Sequence, residues 1–185
     1  HVVFDIDETK QPGRQRKLVS GPDYPQARRR LRELCAPARL GRKRGEVGRT
    51  RTVVQQAHTG EWLGSFGGAG NGQTKAELRR GCAAVCAYMK AHALEPAAAM
   101  VRLDGAYGYV PSIAIALESG VGYLARCADY RLLEQLQLLP RLERLEPEVL
   151  GLPDSGVQRR IYDAGHIQWH AGHKNEGLVQ PRLLL

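Results

Sequence analysis

The sequence predicts a mixed α/β fold, a sheet of antiparallel and parallel strands with flanking helices. Three observations carry that expectation: an apolar run with acids at period two opens the chain, a β-rich hairpin follows, and helical and strand patterns then alternate. At 185 residues, with 43% hydrophobic and 25% charged residues, the chain is long enough for one real core. No apolar run reaches the roughly 18 to 20 residues of a membrane-spanning helix, and the N-terminus has neither a basic n-region nor an apolar h-region. A soluble, cytoplasmic protein without a membrane partner is expected. Four cysteines, Cys35, Cys82, Cys86 and Cys127, are too few and too irregularly spaced for a disulfide framework or a zinc module, which fits a reducing compartment.

Taken in order, Val2-Val3-Phe4-Asp5-Ile6-Asp7 reads as a strand with Asp5 and Asp7 on one face. Residues 10–49 mix prolines and glycines with arginines and read as a long basic loop with one short helix near Gln26–Cys35. Arg51–Gln56 and Glu61–Phe66 flank a Gly-bearing turn as a hairpin. Gly67–Gly72 reads as a flexible connector, since it lacks the Gly-Lys-Ser/Thr ending of a phosphate-binding loop. Thr74 with Glu77 forms a capping-box pattern, and Leu78, Cys82, Val85, Cys86, Met89 and Ala93 follow at helical spacing. Ala97–Leu103 is a buried strand that delivers Asp104 into the Gly105–Gly108 turn. Pro111 opens a short helix that Gly120 closes, Val121–Arg126 is another strand, and a helix is expected over Tyr130–Leu139. The stretches Arg160–Trp169 and Leu178–Leu185 look strand-rich. Trp62 and Trp169 read as packing residues, and His166, His170 and His173 as strand and loop rather than a zinc site, because Gly165 and Gly172 argue against a helix there.

The formal charge of +8 is local: between Lys10 and Arg51 stand 14 Lys or Arg against three acids, while the rest of the chain is net acidic. Arg28, Arg29, Arg30, Arg42, Lys43, Arg44, Arg49 and Arg51 are the candidate phosphate contacts, because the guanidinium fork suits bidentate binding to a nucleic-acid backbone. A solvated charge run is the plain alternative.

The order strand, hairpin, helix, strand, helix, strand suits a ribonuclease-H-like core. In such a sheet the first and fourth strands are neighbours, so Asp7 and Asp104 can meet at one edge and hold Mg²⁺ or Mn²⁺ for phosphodiester displacement. The segments Phe4–Thr9, Gly41–Val47 with Arg49–Thr52, Gly64–Gly72, Val101–Gly108 and Asp129–Leu133 resemble, in family order, a DDE transposase of a bacterial insertion sequence. The group resembled has its ribonuclease-H-like domain interrupted by a strand-rich insertion. The resemblance implies DNA transposition by strand cleavage and transfer, with transposon ends and target DNA as partners and a homodimer in the full-length protein. It also implies Asp7 as first catalytic acid, with Asp5 as runner-up, and Asp104 as second. It divides the chain into a partial catalytic core over 1–133 and part of the insertion over 134–185.

The family's third acid sits in Tyr-x2-Arg-x3-Glu-x6-Lys; only Tyr123 has an arginine three residues on, Arg126, and Tyr130 stands where the Glu belongs. The expectation is therefore an internal piece of a transposase, inactive alone. Two alternatives stay open. Val2–Thr9 also fits the first motif of haloacid-dehalogenase-type phosphatases, with Asp5 as nucleophile and Asp7 as general acid and base. A catalytically dead DNA-binding remnant is the other.

Overall fold

In the computed structural model, residues 1–13, 36–38, 46–70, 74–128, 138–151, 156–170 and 178–185 are described. The chain divides into two compact units, one of His1–Gly108 with Ser112–Arg126, the other of Tyr109–Pro111 with Cys127–Leu185.

The first unit is mixed α/β. Its strands are β1 (Val2–Pro12), β2 (Ala36–Ala38), β3 (Glu46–Gln56), β4 (Trp62–Ala69), β5 (Ala99–Leu103) and β6 (Gly122–Ala125), and its helices are α1 (Thr74–Ala91) and, from Ser112 onward, α2 (Val110–Glu118). β1 lies at the centre, antiparallel to β3 from Phe4↔Gln56 to Pro12↔Gly48 and parallel to β5 from Val2↔Ala99 to Ile6↔Leu103. β4 pairs antiparallel with β3, and β6 parallel with β5, so the sheet runs β4-β3-β1-β5-β6 with β2 also joined to β3.

Alternation along β1 sends Phe4 and Ile6 to one face, where they join Val54, Val101 and Leu103 under the apolar stripe of α1. That stripe is Leu78, Cys82, Val85 and Met89; of the other two residues expected, Cys86 is only partly buried and Ala93 lies exposed beyond the helix end at φ +54°. The helix lies close because Gly81 has no side chain: a Cβ there would stand 3.2 Å from Ile6 Cδ1. Phe4 also meets Tyr88 edge-on at 5.4 Å between ring centroids. α2 adds Ile115 and Ala116 to the same core, and Gly120, at φ +73°, ends it in the conformation that glycine takes without strain.

Three local expectations are corrected. Gly67, Gly68 and Ala69 are strand rather than connector, because they pair with Arg51, Thr50 and Arg49 of β3. Glu77 does not close a capping box; it lies on the buried side of α1, where both carboxylate oxygens accept from β3 hydroxyls. Trp62 is 62% exposed rather than packed, whereas Trp169 is buried as expected. The helix expected near Gln26–Cys35, most of that over Tyr130–Leu139 and most of the basic loop lie outside the described residues.

The second unit is strand-rich in short pieces, as expected: the helix α3 (Leu139–Leu142), then β7 (Glu148–Gly151), β8 (Gln158–Ile161), β9 (Asp163–His166), β10 (Trp169–His170), β11 (Leu178–Val179) and β12 (Arg182–Leu184). They pair two by two, β7 with β8, β9 with β12 and β10 with β11.

Candidate functional site

Parallel pairing of β1 with β5 runs up to Ile6↔Leu103, so Asp7 and Asp104 are the next residue on each strand. Two acids 97 residues apart in sequence thus stand where the β1–β5 pairing ends, Asp7 within β1 and Asp104 just after β5, and both are exposed. Asp104 caps the 3-10 turn Gly105–Tyr107: its Oδ1 accepts from the Ala106 N–H at 2.9 Å, which fixes one oxygen and leaves the other unbonded to that turn. Asp7 pairs with Val53 of β3, and Asp5, two residues back, shares its face.

Asp5 has a different environment. It sits beside Arg102 in the β1–β5 register, and the guanidinium grips both carboxylate oxygens, Nε to Oδ1 and Nη2 to Oδ2, each at 2.6 Å. Of the candidate phosphate contacts, Arg49 and Arg51 are described. Both are exposed on β3, opposite Gln11 and Thr9, and therefore on the face of the sheet that carries Asp7. Arg51 is steadied by Ser65, whose Oγ accepts from its Nε at 2.9 Å. Arg28, Arg29, Arg30, Arg42, Lys43 and Arg44 lie outside the described residues.

Sequence reasoning missed Glu8. It stands one residue past Asp7 and directly across from Thr52, on the core side with Phe4 and Ile6. Burial, with Glu77 and Asp104 nearby, pushes its carboxyl above the ordinary range, against the lowering pull of the Thr74 hydroxyl and Lys10. Its Oε2 is buried and has no hydrogen-bond partner among the described residues. The signal for Glu8 was present in the strict alternation of β1, which puts residues 4, 6 and 8 on one face.

Beneath these acids, Tyr107 is fully buried, and burial, with Glu8, Asp104 and Glu77 around it, holds its hydroxyl well above the usual tyrosine range; it stays protonated. Cys82 is likewise pushed up to about 11 by burial, which makes it a core residue and not a nucleophile. In the second unit, His166 Nδ1 lies 3.0 Å from the Gln180 carbonyl; the His170 side chain and His173 lie outside the described residues. Among the described residues, no three His, Cys, Asp or Glu side chains are grouped so as to hold a metal ion, and no helix is long and apolar enough to cross a membrane.

Asp163 is tied across β9 and β12 to Arg182, and also accepts from the Gly165 N–H at 2.8 Å, so its carboxyl is held at about 2. A folded-state value lowered from 3.8 contributes stability that is present above that value and lost as the pH falls through about 2. Arg182→Ala is expected to move the Asp163 titration, followed by carboxyl-carbon NMR, up toward the ordinary range. An unmoved titration would show that Gly165 alone sets it.

Compared with known proteins, the chain matches no family model and no curated sequence. The arrangement itself defines a mixed α/β unit with two acids where a parallel strand pairing stops and exposed arginines on the face that carries Asp7.

Proposed function

We propose that the first unit is a ribonuclease-H-like core of a DDE transposase, whose Asp7 and Asp104 bind a divalent ion for phosphodiester cleavage and strand transfer on DNA. The observation that carries this reading is the pairing of β1 with β5, which makes Asp7 and Asp104 neighbours. The strand order β4-β3-β1-β5-β6, with β3 running against β4 and β1 and with β1, β5 and β6 parallel, supports the ribonuclease-H-like assignment. β3 borders β1 antiparallel and Asp5 is occupied by Arg102, and neither suits a phosphatase with Asp5 as nucleophile in a doubly wound sheet.

The donors fit Mg²⁺ or Mn²⁺. These hard ions take carboxylate oxygens, often only one or two of them, and keep several waters. Asp104 has one oxygen outside its turn, and Asp7 is exposed. When bound, such ions activate a water or a 3′-hydroxyl and stabilise the leaving oxygen. The chain's own residues hold the ion through Asp7 and Asp104 and orient the phosphate backbone through Arg49 and Arg51 on the same face.

A titration of the full chain with Mn²⁺ tests the reading. Asp104→Asn keeps the oxygen that caps the turn and removes the charge, so binding is expected to weaken at least about tenfold, roughly 1.4 kcal/mol, with the fold intact. Asp7→Asn should behave alike. Unchanged affinity in Asp104→Asn would overturn the site, and loss confined to Asp5→Asn would favour the phosphatase.

A further inference from the structure

Behind the paired acids lies a buried polar network that the proposed chemistry leaves unused. Glu77 is 1% exposed, on the core side of α1 beside Leu78 and Gly81. Its Oε1 accepts from the Thr50 hydroxyl at 2.5 Å and its Oε2 from the Thr52 hydroxyl at 2.6 Å. A threonine hydroxyl has one proton, and that of Thr52 is committed to Glu77, which leaves the Tyr107 hydroxyl, 3.5 Å away, as the donor to Thr52 Oγ1. Tyr107 closes the turn that Asp104 caps, and its N–H donates to the Asp104 carbonyl at 3.1 Å. On the other side, Thr52 pairs with Glu8, the residue after Asp7. The chain of contacts therefore runs from α1 through β3 to the middle of β1 and the turn after β5.

A carboxylate at a helix–sheet seam is costly to bury, and a well-packed apolar residue of similar volume often serves stability as well or better. Two hydroxyl donors satisfy Glu77, but they do not explain why an acid stands there.

We propose that Glu77 is a positioning residue for the Asp7–Asp104 pair, acting through Thr52 and Tyr107 to hold the Asp104 turn beside β1 where its pairing with β5 stops. The proposal rests on the metal-site reading above. Thr50 supplies an internal control: it bonds the same carboxylate, yet the described contacts give it no bond to Tyr107.

The test compares Thr52→Val, Tyr107→Phe, Glu77→Gln and Thr50→Val in the full chain, with Asp104→Asn alongside. Mn²⁺ affinity is measured in each, together with hydrogen exchange of the Ala106 and Tyr107 amides in metal-free protein. Urea unfolding establishes that the two valine variants lose similar stability. Thr52→Val and Tyr107→Phe are expected to weaken Mn²⁺ about tenfold, the low end of what lost outer support costs a metal site, and to speed exchange at the turn. Glu77→Gln, which retains the shape, should shift both readouts the same way, while Thr50→Val leaves both near wild type. If Asp104→Asn loses the ion but Thr52→Val and Tyr107→Phe bind as wild type does, or if Thr50→Val matches Thr52→Val, the positioning role is overturned and the site stands. If the wild type does not bind, or Asp104→Asn binds equally well, the site falls and the positioning role with it.

Discussion

Phe4→Ala is expected to cost the first unit about 3–5 kcal/mol, because it empties the middle of the core rather than trimming its edge. Phe4 is fully buried on the central strand, under α1, with an edge-on contact to Tyr88 and Val101 beside it on β5. Neighbours on both sides of β1 are held by backbone pairing, so the cavity cannot collapse easily. The loss is a large part of the roughly 5–15 kcal/mol that holds a typical domain folded. Urea unfolding of the full chain followed by circular dichroism should show a midpoint well below wild type at similar slope. Leu124→Ala, at a side chain 55% exposed, should fall within about 0.5 kcal/mol of wild type. Equal midpoints for the two variants would mean that the β1–α1 seam is not the core.

The second large effect concerns DNA. Replacing Arg42, Lys43 and Arg44 together by alanine should lower the slope of log affinity against log salt by about 2.7, since each lost phosphate contact removes roughly 0.9. The Arg49/Arg51 pair on the sheet face should lower it by about 1.8 on the same basis. Fluorescence anisotropy on a labelled duplex at several salt concentrations gives both numbers. Because phosphate contacts position without reading sequence, the loss should be alike on unrelated duplexes. Slopes unaltered by either replacement would return the arginines to an ordinary solvated surface.

Much of this fold is legible where one pattern speaks alone. The alternation of Phe4, Asp5, Ile6 and Asp7 marks the central strand, and the turn between Gln56 and Trp62 marks the hairpin that joins β3 to β4. Reading fails where two patterns compete on the same residues. Thr74 and Glu77 satisfy a capping signature, but Glu77 also falls in register with Leu78, Gly81, Val85 and Met89, and burial decides. Gly67 and Gly68 look like breakers, yet glycine in a strand next to β3 costs only packing, and the hydrogen-bonded partner supplies the rest. β2 is three residues of Ala-Pro-Ala inside an arginine-rich stretch, too short for any period to show. At the site, Asp7 and Asp104 were visible because each acid interrupts or ends an apolar run. Glu8, Thr52 and Tyr107 were not, since polar groups whose partners come from three different elements leave no local signature.

The grip of Arg102 on Asp5 has a further consequence. Arg102 lies on the face of the sheet that also carries Asp7, and Asp7 is the diagonal neighbour, at a distance of about 7–8 Å that a long side chain can cover. If the proposed site stands, Asp5 keeps from Asp7 a cation within its reach. An Asp5→Asn variant frees that cation, so a defect in ion binding there reports on where Arg102 has gone as much as on Asp5, and Asp5 can look indispensable without touching any reacting atom.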